Sequence, residues 1–107
     1  MATKIDPGQA QSLIQEFRTQ NKAAGEHALK TSDGQDLNGF FLDRESLETI
    51  LKDPKVAGIH LHLAKNTANA TTAVYSGSER NEQGASKPFT STGAKYSADF
   101  PCPPWCD

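Results

Sequence analysis

The sequence predicts a small α+β domain: two helices packed on a sheet of about three strands, with a long polar loop and a Pro/Cys-rich C-terminal tail. Three observations lead there. Helical and strand periodicities follow one another in the order helix, strand, helix, strand, strand. The apolar residues come early: of the 19 Leu, Ile, Val and Phe residues only Val74, Phe89 and Phe100 follow Leu63. The stretch from Ser76 to Lys95 is rich in Ser, Gly, Thr, Asn and Lys, the composition of a long flexible loop or a weak hairpin. The 107 residues make one domain, divided into a core at 5–76, a flexible polar segment at 77–95 and a tail at 96–107.

The first element is the best signalled. In "IDPGQAQSLIQEFRTQNKAAG", Asp6 caps a helix, Pro7 suits its first position, and Gln9 stands three after the cap as in a capping box. Ala10, Leu13, Ile14 and Phe17 recur at helical spacing as one apolar stripe, and Gly25 is a stop, which sets a helix over Pro7 to Ala24. A turn at Ser32-Asp33-Gly34 precedes a short strand, "GFFL". Asp43 then caps "RESLETILK", whose Leu47, Ile50 and Leu51 face the core, and Asp53-Pro54 ends it. "KVAGIHLHLAK" alternates as a strand, with Ala57, Ile59, Leu61 and Leu63 on one face and His60 and His62 on the other. "TTAVYSG" returns antiparallel, and "YSADF" is a last short strand. Whether "GFFL" joins the sheet parallel or antiparallel is left open by the 13 residues between Leu42 and Val56, just enough for a crossover.

Composition excludes several functions. Eleven Lys and Arg against 13 Asp and Glu, scattered singly, provide no basic patch for nucleic acid. The longest mostly apolar stretch, "VAGIHLHLA", is far short of the ~20 residues that span a bilayer. "MATKIDPGQAQ" has no apolar segment of a signal peptide, so the expected location is the cytoplasm with reduced thiols, export by a signal-independent route being the alternative. Asn69-Ala70-Thr71 fits a glycosylation sequon that matters only on secretion. No catalytic frame is found: His27 stands alone near a helix end, Glu45 and Glu48 suit the solvated start of a helix, and "STGAK" and "SGSER" lack the phosphate-loop and nucleophile-elbow settings. The chain therefore reads as non-enzymatic.

The sulfurs carry the site hypotheses, because both lie in "FPCPPWCD" beside the one tryptophan. The first reading is interaction: Phe100, Cys102, Trp105 and Cys106 form an apolar tail whose Pro101, Pro103 and Pro104 favour an extended conformation, docked on its own domain, on a second copy or on another protein. The second is zinc, held by His60, His62, Cys102 and Cys106, two imidazoles and two thiolates of suitable softness. Its plainer counterpart has the histidines on a polar strand face and the cysteines as small apolar packing groups. The third is a Cys102–Cys106 disulfide in an exported effector, closing a very small loop.

"GFFLDRESLETILKDPKVAGIHLHLA" followed by "FPCPPWCD" resembles a family of short uncharacterised bacterial proteins. The shared marks are the pair Phe17-Arg18 on the first helix, the GFF-type strand leading into a Leu-rich helix, the Gly58-Ile59 strand and the Pro101 to Cys106 tail. The resemblance implies no activity. Members more often carry Arg then Tyr where this chain has His60 and His62, and a longer apolar strand with an acidic turn in place of "TTAVYSG". A histidine site would therefore be particular to this chain.

Overall fold

A computed structural model describes residues 2–67, 70–81 and 88–106. Helix α1 spans Pro7–Ala23, and the Asp6 carboxylate accepts from the backbone N–H of Gly8 and Gln9 at its start. Its end is set by Gly25, whose φ of 59° is left-handed and suits glycine. Strand β1 covers Gly39–Phe41, and α2 covers Arg44–Leu51 with Asp43 as its cap. Three strands follow, β2 at Val56–Lys65, β3 at Thr71–Arg80 and β4 at Phe89–Ser97, before a short β5 at Phe100–Cys102.

The architecture is α+β with two helices and small antiparallel sheets, but the strands split into two sheets rather than one. β2, β3 and β4 form an antiparallel meander, with Leu61 opposite Tyr75 and Tyr75 opposite Tyr96. β1 pairs instead with β5, antiparallel, with Gly39 opposite Cys102 and Phe41 opposite Phe100. The open question about the first strand is thus resolved by a partner 59 residues away. The expected strand "YSADF" is divided: Tyr96 and Ser97 end β4, and Phe100 begins β5.

In the polar segment 77–95 the hairpin alternative is the one found. Residues 77–80 continue β3 and 89–95 belong to β4, so most of that segment is a hairpin; its part at 82–87 lies outside the described residues. The small side chains are what permit this. Ser76 and Ser78 are both 2% exposed, and Gly77 lies under α2, where a Cβ would stand 2.9 Å from the Ile50 methyl and 3.0 Å from Val56.

The core is thin. Ile50, Ala73, Tyr75 and Ala98 are its buried members, with Phe40, Leu42, Leu47, Val56, Ile59 and Tyr96 packed partly against it. Tyr75 closes a polar stitch across it: its hydroxyl lies 2.6 Å from Ser46 Oγ, which also donates to the Asp43 carboxylate. Two expectations about the core fail. Leu51 is exposed, and so are Leu13, Ile14 and Phe17, which were to carry α1 onto the sheet. α1 is tied down at its far end instead, where Asn21 is buried. The Asn21 amide donates to the carbonyls of Leu29 and Leu37 and accepts the Leu29 N–H. No described helix is long and apolar enough to cross a membrane.

Candidate functional site

The tail is a knot and not an extended arm. Phe100 to Cys102 are held as a strand, Asn38 donates to the Cys102 carbonyl, and Trp105 donates back to the Pro101 carbonyl. Cys102 and Cys106 are bonded to each other, with their Cα atoms 4.8 Å apart. The Cys102–Pro103 and Pro103–Pro104 peptide bonds are both cis. Closing a loop over so few residues requires a tight turn, which a polyproline helix does not make. The expected reduced thiols are therefore corrected to a disulfide. Disulfides persist in oxidising surroundings, so this bond hints at such a setting and does not bear out the cytoplasmic expectation.

The knot places Trp105 among aromatics. Its ring is 4.6 Å from Phe100, edge on, and 5.9 Å from Phe41, stacked, while Phe41 and Phe100 meet edge to face at 6.1 Å. Such offset and edge contacts are the favoured aromatic geometries. Phe100 and Cys102 turn inward, Cys102 being only 7% exposed, whereas Trp105 and Phe41 remain 50% and 49% exposed. Of the four tail residues singled out by sequence, two anchor the tail and Trp105 presents a surface.

That surface is one wall of a groove of about 360 Å³. It is lined by Phe40 and Phe41 of β1, by Cys102, Trp105 and Cys106 of the tail, and by Ile14 and Arg18 of α1. Ile14 and Arg18 are four apart, hence on one helix face. The Arg18 Nε is buried and has no hydrogen-bond partner among the described residues. A buried donor without a partner is costly, which makes it an unmet demand for an acceptor. A larger open concavity of about 750 Å³ lies along α2 and β4; of its three carboxylates Asp43 caps α2, Asp99 accepts from Ser97, and Glu45 stands in the first turn of α2.

The histidines lie elsewhere. His60 and His62 stack on the exposed face of β2 with ring centroids 5.5 Å apart, and His60 Nδ1 is 2.6 Å from Ser78 Oγ. The structure does not bring them to the cysteines, whose sulfurs are spent on each other. Among the described residues no group of three or more His, Cys, Asp or Glu gathers as a metal site. His27 is exposed beside Glu26, and Glu48 pairs with Arg44 on the surface of α2. The sequon's Asn69 lies outside the described residues.

Two carboxylates are held below their ordinary range. The Ser46 backbone N–H, then its hydroxyl, do so for Asp43, and the hydroxyl of Thr31, then the side chain of Gln35, for Asp33. Both stabilise turns and caps, the roles the sequence assigns them. Sequence reading marked Arg18 only through the Phe17-Arg18 pair and missed its buried Nε and the Ser78 contact; the i, i+4 spacing of Ile14 and Arg18 was a further local signal for the first. Compared with protein-family models, with curated proteins and with solved structures, the chain matches none.

Proposed function

We propose that the chain is a non-enzymatic protein-interaction domain, and that the groove between α1 and the disulfide knot is its docking surface. The Arg18 Nε, buried and without a hydrogen-bond partner among the described residues, carries the reading. An apolar channel with one cation at its edge suits a protein segment that presents an aliphatic or aromatic side chain with a carboxylate next to it. The apolar group would enter between Ile14, Phe41 and Trp105, and the carboxylate would take the guanidinium. A charge-assisted bond to arginine is among the stronger polar contacts, and Trp and Arg are favoured hot-spot residues. The disulfide holds Trp105 ready, which lowers the ordering cost of binding. It also favours an oxidising setting for the contact, in keeping with an exported effector.

A displayed peptide library selected on the immobilised full chain tests this. Enriched peptides should share an apolar residue adjoining Asp or Glu. They should bind Arg18→Gln and Trp105→Ala at least about tenfold more weakly, the loss of one good contact. Peptides that bind both variants as well as the original chain, or enrichment without acidic residues, would remove the groove from consideration.

A further inference from the structure

β2 carries two features that the groove does not use. It is an edge strand: in the order β2-β3-β4 no described strand pairs with its outer side. From Val56 to Ala64 it holds no charged residue and no proline, the usual guards of an exposed edge. Leu61 and Leu63 project from it 49% and 73% exposed, beyond the reach of α2. A strand that repeats apolar and histidine positions about Leu61 is complementary to a second copy of itself.

The register follows from parity. Pairing two β2 strands antiparallel about a dyad at Leu61 sets Leu61 against Leu61 of the partner subunit, and Ile59 against the partner's Leu63. The single charge, Lys65, falls opposite the neutral Ala57 of the partner subunit, so no like charges meet. The bulge between Val56 and Gly58 lies at the margin of this pairing. On the other face His60 falls opposite the partner's His62, and His62 opposite the partner's His60. Directly opposed residues in an antiparallel pair stand about 4.5–5.5 Å apart at Cβ. Four imidazoles thus converge over the dyad. The His60 ring is held by Ser78: when Nδ1 donates to the buried Ser78 hydroxyl, Nε2 keeps its lone pair for a ligand.

We infer that β2 is a homodimer seam closed by one divalent transition-metal ion, bound by His60 and His62 of both copies. Imidazole donors suit Zn²⁺, Cu²⁺ and Ni²⁺, and four of them complete a tetrahedral zinc shell. The paired edge satisfies the open backbone groups and covers the two leucines. This site is independent of the groove at α1.

The probe is Zn²⁺ alone, added to the untagged full chain after chelation, with binding followed by calorimetry and mass by sedimentation. The expected result is one Zn²⁺ per two chains and a shift from 11.6 kDa to twice that mass. His62→Ala should abolish both. Ser78→Ala should weaken the metal by about tenfold, as losses of an orienting partner do. Leu61→Lys should return the chain to a monomer at the same metal concentration. His62→Ala stands on an exposed strand position, so circular dichroism should show it folded, and it carries the test if His60→Ala or Ser78→Ala unfolds. One Zn²⁺ per monomer, no binding, or a dimer indifferent to chelator and to His62→Ala would each overturn the inference.

Discussion

Asn21 holds the first helix to the rest of the molecule. Its amide bridges the Leu29 and Leu37 carbonyls at 3.1 and 3.3 Å, and its carbonyl oxygen accepts the Leu29 N–H at 2.7 Å. Asn21→Ala takes their partner from the Leu29 N–H and the Leu37 carbonyl, which costs about 2 kcal/mol, while the Leu29 carbonyl keeps the Leu37 N–H. Asn21→Asp keeps the acceptor and loses both donors, so it should not rescue. Denaturant unfolding checks this; an unchanged midpoint for Asn21→Ala would show that α1 is held by something else. Asp43 acts at the same scale through protons. Its folded carboxyl is more acidic than the ordinary value of 3.8, chiefly because the Ser46 N–H donates to it. The stabilisation is therefore complete above the ordinary value and is lost as pH falls toward the folded one. Thermal unfolding followed downward from pH 5 should show this loss. Asp43→Asn, which still caps but does not titrate there, should lose less stability over the same interval. Equal slopes for both proteins would remove Asp43 from the acid response.

Elements whose signals are local were legible in the sequence, and elements made by distant pairing were not. Asp6, Pro7 and Gly25 set α1 to within a residue because capping is decided by neighbours. The alternation around Ile59 to Leu63 gave β2 in the same way. β4 reads as a loop or a weak hairpin because Gly93, Ala94 and Lys95 interrupt its Thr and aromatic residues; it is a strand through pairing with β3. The two-sheet split rests on Phe41 meeting Phe100, which no window of sequence contains. Periodicity gave α1 an apolar face but could not say what covers it; of that face Ile14 lines the groove, and Leu13 and Phe17 stay exposed outside it. The site was half legible: the tail stood out by composition, while Arg18 gained meaning only from what surrounds it. Gly77 is a further case, since a glycine in polar company reads as a loop. It sits where α2 presses on β3, with Ile50 and Val56 where a methyl would go. Gly77→Ala should destabilise by about 1–3 kcal/mol through overpacking. A thermal midpoint equal to that of the original chain would mean that α2 rides higher than described.

For the whole molecule, two measures show surface to spare. The accessible area is 8196 Å², where a monomer of this mass exposes roughly 5,800 Å². The radius of gyration is 15.9 Å, against about 13 Å for a compact chain of this length. Among the described residues seven apolar ones are buried, three of them alanines. A core this thin leaves little margin, so a covalent closure weighs more than its loop size suggests. The disulfide spans four residues in sequence, and chain entropy for so short a loop gives about 2 kcal/mol. In a domain near 100 residues that corresponds to a fall on the order of 10 °C in unfolding temperature. Reductant should therefore lower the midpoint of the original chain by that amount, and should leave a Cys102→Ala, Cys106→Ala double variant where it already is. The intact mass should rise by two hydrogens on reduction. The β1–β5 pair should loosen first, because Cys102 both ends β5 and accepts from Asn38. That is visible as faster amide exchange at Asn38, with β2 and β3 unchanged. Uniform acceleration across both sheets would show instead that the knot and the meander unfold as one unit, and then the groove could not be loosened without losing the fold.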